Sequence, residues 1–224
     1  MAPRRDLPEP MTGRQQPLVL SGPPTALQAV VSVENGGARR LVVRGITVHR
    51  DGADPVLAQA VGVVAPGATT AMPLTASLPA TTPPGDYPAE VEVAGSRRPV
   101  TLRVEAEWAL QLTPRRMLAV PGVQPVQLVV TNLGNVAIPL APLGRAALRR
   151  SDLPDGPPGD PPGPDVALRL DQPDVVEPGA TLSLTGTLEV PDGLDPTRRL
   201  HARVPIGLAD LDVIVLPRAT EEPR

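Results

Sequence analysis

From Pro99 to Leu112 the chain reads Pro-Val-Thr-Leu-Arg-Val-Glu-Ala-Glu-Trp-Ala-Leu-Gln-Leu, with Val100, Leu102, Val104, Ala106, Trp108, Leu110 and Leu112 at every second position. That period places the apolar side chains on one face of an extended strand and the polar ones on the other. The alternation outlasts an ordinary strand of about 5 to 6 residues. It predicts the last strand of one β-sandwich running straight into the first strand of a second. Shorter apolar runs precede it at Pro17 to Leu20, Gln28 to Glu34, Leu41 to His49, Pro55 to Val64, Met72 to Leu78 and Tyr87 to Val93. Asn35-Gly36-Gly37, Pro66-Gly67, Pro83-Pro84-Gly85-Asp86 and Gly95-Ser96 stand between them as turns, the first from residues that tolerate positive φ, and Gly45 reads as a bulge. Seven or eight short strands spaced by roughly 8 to 12 residues predict a sandwich.

The second half replays this order. Val30-Val-Ser-Val-Glu-Asn35 is answered by Leu128-Val-Val-Thr-Asn132, and Val64-Ala-Pro-Gly-Ala-Thr69 returns as Val176-Glu-Pro-Gly-Ala-Thr181. Leu74-Thr-Ala-Ser-Leu78 returns as Leu184-Thr-Gly-Thr-Leu188, and Tyr87 to Val93 is matched by Leu200 to Ile206. Asn35 and Asn132 stand 97 residues apart, Gly67 and Gly179 stand 112 apart. The difference comes from Ser151 to Asp165, a Pro/Gly/Asp loop with no counterpart in the first half. The predicted organisation is a loose tail over 1–16, a first sandwich over 17–107, a second over 108–217 carrying the inserted loop 151–165, and a short tail over 218–224.

Composition sharpens this picture. In 224 residues there is no Phe, one Trp and one Tyr, so burial rests on Val, Leu, Ile and Ala. The 32 prolines and 20 glycines fall mostly between the alternating runs, where they punctuate strands. All 21 basic residues are arginine, and the net charge of -3 offers no overall attraction to nucleic acid or anionic lipid. With no cysteine, disulfides and thiolate sites are excluded. Arg4 and Arg5 are followed by Asp6, Pro8, Glu9 and Pro10 instead of an apolar signal stretch, and the longest apolar piece, near Val56 to Ala65, is too short for a membrane span. The expectation is a soluble, cytoplasmic chain, with unconventional export left open.

Val-x-Val-x-Asn-x-Gly in Val31 to Gly37, Ala-Pro-Gly-Ala-Thr in Ala65 to Thr69 and Pro-Pro-Gly-Asp-Tyr in Pro83 to Tyr87 resemble the bacterial immunoglobulin-like domains called CARDB, and equally the sandwiches that accompany bacterial α-galactosidases. The second half carries Pro191-Asp-Gly-Leu-Asp-Pro196 where the last of these motifs would stand. The resemblance implies an all-β fold of two tandem immunoglobulin-like β-sandwiches, and a role as spacer, adhesion or accessory module. It brings no catalytic residue with it.

No chemistry emerges from the remaining residues. Without lysine a Gly-x-x-x-x-Gly-Lys phosphate loop is impossible, and the only histidines, His49 and His201, are assigned to different domains. The serines have no nucleophile elbow. Asp152, Asp155, Asp160 and Asp165 lack the spacing of a calcium loop and sit among stiff prolines. No catalytic, cofactor or metal site is expected.

Arginine doublets remain. In an immunoglobulin-like sandwich the loop after the second strand and the loop before the last share one end. This predicts that Arg39, Arg40, Arg97 and Arg98 gather at one tip, joined by Arg4, Arg5 and Arg14, with Arg115-Arg116 and Arg198-Arg199 at the opposite tip. Such tips suit acidic protein surfaces, because planar guanidiniums pair with carboxylates; the plainer alternative is that arginine only solubilises strand ends. Trp108 is expected either inside one core or wedged between the domains, fixing their angle. The function these residues support is a non-enzymatic protein-binding scaffold or adaptor module of a bacterial multiprotein assembly, with partners at arginine-rich tips or at strand edges such as Val56 to Val64 and Val136 to Leu140. The alternative is a carbohydrate-binding or adhesion accessory, against which the scarcity of stacking aromatics counts.

Overall fold

The computed structural model describes residues 18–50, 52, 54–93, 96–150, 163–171, 175–195 and 198–216, with nothing stated of the side chains of residues 93 and 96. The expected tails over 1–16 and 218–224 and most of the 151–165 loop lie outside these residues. Contacts divide the chain into two compact units: Met1–Gly22, Ala26–Ser77 and Asp86–Arg103 form the first, while Pro23–Thr25, Leu78–Gly85 and Val104–Arg224 form the second.

Among the described residues every regular element is a strand, apart from one turn of 3-10 helix at Pro24–Ala26. Through the first unit these are β1 (Leu18–Gly22), β2 (Leu27–Glu34), β3 (Leu41–Val43), β4 (Ile46–Arg50), β5 (Val56–Ala58), β6 (Gly62–Val64), β7 (Thr69–Ala76), β8 (Gly85–Val93) and β9 (Ser96–Val104). The second holds β10 (Leu110–Thr113), β11 (Arg116–Ala119), β12 (Gly122–Asn132), β13 (Ile138–Pro139), β14 (Leu143–Ala147), β15 (Arg149–Arg150), β16 (Asp165–Leu170), β17 (Val175–Val176), β18 (Thr181–Val190), β19 (Leu200–Ile206) and β20 (Ala209–Val215).

In the second unit the order β10-β12-β18-β16-β14 makes one sheet and β11-β20-β19-β15 the other. By the usual lettering the first is A-B-E-D with β14 added outside β16, and the second is C-F-G with β11 added parallel to β20, Arg116↔Asp212 through Ala119↔Val215. The architecture is all-β and immunoglobulin-like. One stretch, β10 to β11, leaves the first sheet for the second at Pro114. Another, β14 to β15, does the same on the opposite flank, pairing β16 through Ala147 and β19 from Arg149. Between the layers lie Leu112, Val130, Leu168, Leu188, Val204 and Val213, all essentially removed from water.

The first unit reaches the same plan by a different closure. Its strands run β5-β4-β8-β9-β1-β2-β7, so β1 joins the A-B-E strands to the C-F-G strands in one sheet. Its two ends meet where Gln59 and Thr75 exchange backbone hydrogen bonds of 2.7 and 3.0 Å. Aliphatic side chains fill the inside, among them Leu20, Leu27, Ile46, Leu74, Val91 and Leu102, and Met72 lies over Gly62, where an added Cβ would sit 2.6 Å from its sulfur.

Several local expectations are corrected. The Leu41 to His49 run does not bulge at Gly45; it breaks there, and its halves join different sheets, β3 with β6 and β4 with β5 and β8. Pro55 to Val64 is likewise two short strands. Gly36 and Gly37 are not in the left-handed region, whereas Gly67 is, at φ 67°. The Pro99 to Leu112 alternation holds two strands as expected, but they do not run directly into each other: pairing stops at Val104 and resumes at Leu110. Residues 105–109 are held by a loop instead, because Gly134 lies flush against Glu107 and Asn135 fills the hydrogen-bonding positions a neighbouring strand would take.

Candidate interaction surfaces

The turn motifs act through one asparagine in each unit. Asn35, at the end of β2, donates from Nδ2 to the carbonyls of Arg39 (2.7 Å) and Val64 (2.9 Å), and its Oδ1 accepts from the Gly37 N–H (3.1 Å). Its backbone N–H donates to Ala68 and its carbonyl accepts from Gly67. Asn132 repeats this bond for bond: Nδ2 to Val136 (2.7 Å) and Val176 (2.8 Å), Oδ1 from Gly134 (2.9 Å), and backbone bonds with Ala180 and Gly179. Both side chains are buried, so their polar groups must be matched inside. Val-x-Asn-x-Gly followed by Pro-Gly-Ala-Thr is thus a device for pinning two loops to one strand end, which explains its reappearance.

The second unit has a further clamp. Asn135, 2% exposed, donates to the carbonyls of Thr82 and Glu105 (both 3.0 Å) and accepts from the Glu107 N–H (2.7 Å). Alongside, the Leu133 N–H reaches Ala109 O at 2.8 Å and the Asn135 N–H reaches Glu107 O at 3.1 Å. Trp108, on the clamped segment, is 55% exposed. The expectation that it packs into a core is corrected: with strand pairing lost over 105–109, the pleat no longer aims position 108 inward.

On the first unit β4, β8 and β9 carry a charged face. His49 Nε2 lies 3.0 Å from Glu92 Oε2, which also receives Arg97 Nε at 3.2 Å, while Arg97 reaches Glu90 at 3.6 Å. Arg103 grips Asp86 through Nε and a second guanidinium nitrogen, at 2.9 and 3.0 Å. That hydrogen bonding, with the charge of Arg103, holds the Asp86 carboxyl below its ordinary value of 3.8. The Arg50 guanidinium sits 5.6 Å from the centre of the Tyr87 ring, within cation–π range. Arg97 is therefore engaged with its own strand neighbours. Arg98 is exposed at the start of β9, and Arg39 and Arg40 are exposed in the segment leading into β3.

His49 and His201 fall in separate units. His201, on β19, has a buried Nδ1 without a hydrogen-bond partner. Among the described residues no group of three or more His, Cys, Asp or Glu is arranged to hold a metal, and no helix is long and apolar enough to cross a membrane.

No family model matches the sequence. No curated protein matches it either. The likeness to CARDB and α-galactosidase-associated domains therefore rests on the turn motifs alone. Similar solved structures include the Pseudomonas aeruginosa CupB2 chaperone, at 12% identity over 85% of this chain and 91% of that one with a TM-score of 0.25. The E. coli chaperone DraB is 9% identical over 90% of this chain and 94% of its own, at 0.28. Titin domains Z1Z2, solved in complex with telethonin, are 16% identical over 91% and 94%, at 0.25. Superpositions of this quality carry no argument about function.

Apolar side chains also lie open to solvent. On the first unit Val30, Val42, Leu57, Val61 and Val63 are each more than half exposed. The sequence reading included Leu57, Val61 and Val63 in its candidate strand edge Val56 to Val64 but not Val30 or Val42, because alternation marks which face of a strand is apolar and not which apolar side chain lacks a covering neighbour.

Proposed function

We propose that the chain is a non-enzymatic protein-binding scaffold or adaptor module of a bacterial multiprotein assembly. The observation that carries this reading is the exposure of Val30, Val42, Leu57, Val61 and Val63 on the first unit, with exposed Arg39, Arg40 and Arg44 flanking Val42 in the chain, a surface suited to another polypeptide and not to a small substrate. Charged side chains among the described residues are spread over strand faces, several of them as ion pairs. Photo-crosslinking of the full chain in extract of a bacterial host, followed by mass spectrometry, tests it. Specific protein adducts that compete with unlabelled chain are expected, and adducts no different from those of an unrelated sandwich would refute the reading.

One observation favours a second reading. Trp108 presents an exposed indole, the kind of surface on which sugar rings stack. A carbohydrate-binding accessory would give glycan-array signals that Trp108→Ala abolishes, where the scaffold reading expects none.

A further inference from the structure

The internal duplication lets each half serve as a control for the other, and it exposes one difference. In the first unit β3 pairs antiparallel with β6, Leu41↔Val64, Val42↔Val63 and Val43↔Gly62. In the second the equivalent ribbon is β13 with β17, Ile138↔Val176 and Pro139↔Val175, related by the same offsets that relate the pinning asparagines and glycines. Position for position, Ala38-Arg39-Arg40-Leu41-Val42-Val43-Arg44-Gly45 is answered by Asn135-Val136-Ala137-Ile138-Pro139-Leu140-Ala141-Pro142. All three arginines are replaced by small or aliphatic residues. Proline takes the place of Val42, and a second proline follows.

The physical consequences differ. A proline on an outer strand removes a donor and obstructs an incoming chain, one of the ordinary ways of closing a sheet edge. β3 has no such guard: among the described strands it pairs with β6 alone, so alternate N–H and C=O groups on its other side are available for a further strand. Val42 and Val63, directly opposite each other, are 53% and 57% exposed, and Val61 is 80% exposed. Arg39 and Arg40 precede the strand and Arg44 follows it, all exposed, and none is in an ion pair among the described residues.

We infer that β3 is the docking edge of this module, and that its occupant is an extended peptide of a partner protein that adds to β3 as a strand, sets an apolar side chain beside Val42 so as to extend the exposed Val42–Val63 row, and carries carboxylates at both ends for Arg39, Arg40 and Arg44. This rests on the protein-binding reading and gives it a site. Backbone hydrogen bonds supply attachment, the valines supply apolar contact, and the flanking guanidiniums select acidic over basic sequences.

A fluorescein-labelled peptide Asp-Glu-Val-Thr-Val-Thr-Val-Glu-Asp, titrated with the full chain and read by anisotropy, tests the inference. Saturable binding is expected, weakened about tenfold when Lys replaces the acidic residues or when salt is raised to about 0.5 M. Val42→Pro, which installs the residue its counterpart already carries, is expected to abolish binding. The triple variant Arg39→Val, Arg40→Ala, Arg44→Ala is expected to keep the fold, bind about tenfold more weakly and lose the salt dependence. Peptides N-methylated on alternate residues give a readout independent of any variant: one phase must lose binding and the other keep it. Absent binding, indifference to all these changes, or equal affinity for the lysine peptide would overturn the inference. So would self-association of the chain that Val42→Pro abolishes, which would assign the edge to a second copy. If the peptide fails while protein crosslinks persist in both variants, the edge is refuted and the scaffold reading stands.

Discussion

Asn132 is the most exacting test of how the second unit is held together. Its amide is fully buried and makes three hydrogen bonds, two as donor to the carbonyls of Val136 and Val176 and one as acceptor from the Gly134 N–H. Each such bond contributes about 1 kcal/mol net, and its loss strands a buried backbone group, so Asn132→Ala is expected to cost about 3 kcal/mol. Asn35→Ala removes the same set at a site where the Gly37 bond is only partly buried, and a smaller loss of about 2 kcal/mol is expected. Asn132→Asp keeps the shape but cannot donate, and it turns a carboxylate oxygen toward two carbonyls; it is expected to be worse than alanine. Urea unfolding followed by circular dichroism and by fluorescence of Trp108, which belongs to the second unit, measures these differences. With a slope of about 1.5 kcal/mol per molar, the Asn132→Ala midpoint should fall by about 2 M at unchanged slope. A loss below about 1 kcal/mol, or an aspartate milder than alanine, would refute the claim that this amide pins the two loops.

Gly134→Ala is expected to destabilise by about 2 kcal/mol or more, because the new Cβ would lie 2.0 Å from the Glu107 carbonyl oxygen, whereas Gly37→Ala, with only the Asn35 Oδ1 nearby at 3.3 Å, should stay within about 0.5 kcal/mol; paired thermal melts check both. For Asp86 the folded carboxyl titrates below its unfolded value, so the stability it adds is present above the unfolded value and is lost as pH falls through the lowered one. Asp86→Asn should therefore be less stable than the parent at neutral pH and converge with it in acid, and a gap that persists at the lowest pH would contradict the assignment. His201→Val removes an orphaned Nδ1 and places a β-branched residue in a strand, with an expected gain of about 1 kcal/mol; a lower melting temperature would show that the nitrogen does have a partner.

The sequence carried the strands and the repeat far better than it carried the closures. Period-two patterning located β2 within a residue and the greater part of β7, because one face of each is buried and the pleat forces the alternation. The Asn and Pro-Gly motifs were readable as turns, but not as a single hydrogen-bonded device joining segments 29 and 44 residues apart. The break at 105–109 was invisible because its alternation continues; only the approach of Gly134 and Asn135 shows that a loop has replaced a strand there. The same limit applies to β3. Arg39 and Arg40 stood out as charge, yet what distinguishes them is that β3 pairs on one side only among the described strands, and pairing is a property of the sheet.

The parallel pairing of β11 with β20 has a mechanical corollary. Four successive rungs, Arg116↔Asp212 to Ala119↔Val215, join a strand near the start of the second unit to the one that ends it. Tension applied between residue 110 and residue 216 would run along those two strands in opposite senses, loading the rungs in shear so that they must yield together. A hairpin pulled from its open end would instead unzip, each rung breaking alone. The second unit is therefore built to resist extension far better than its modest, aromatic-free interior would suggest.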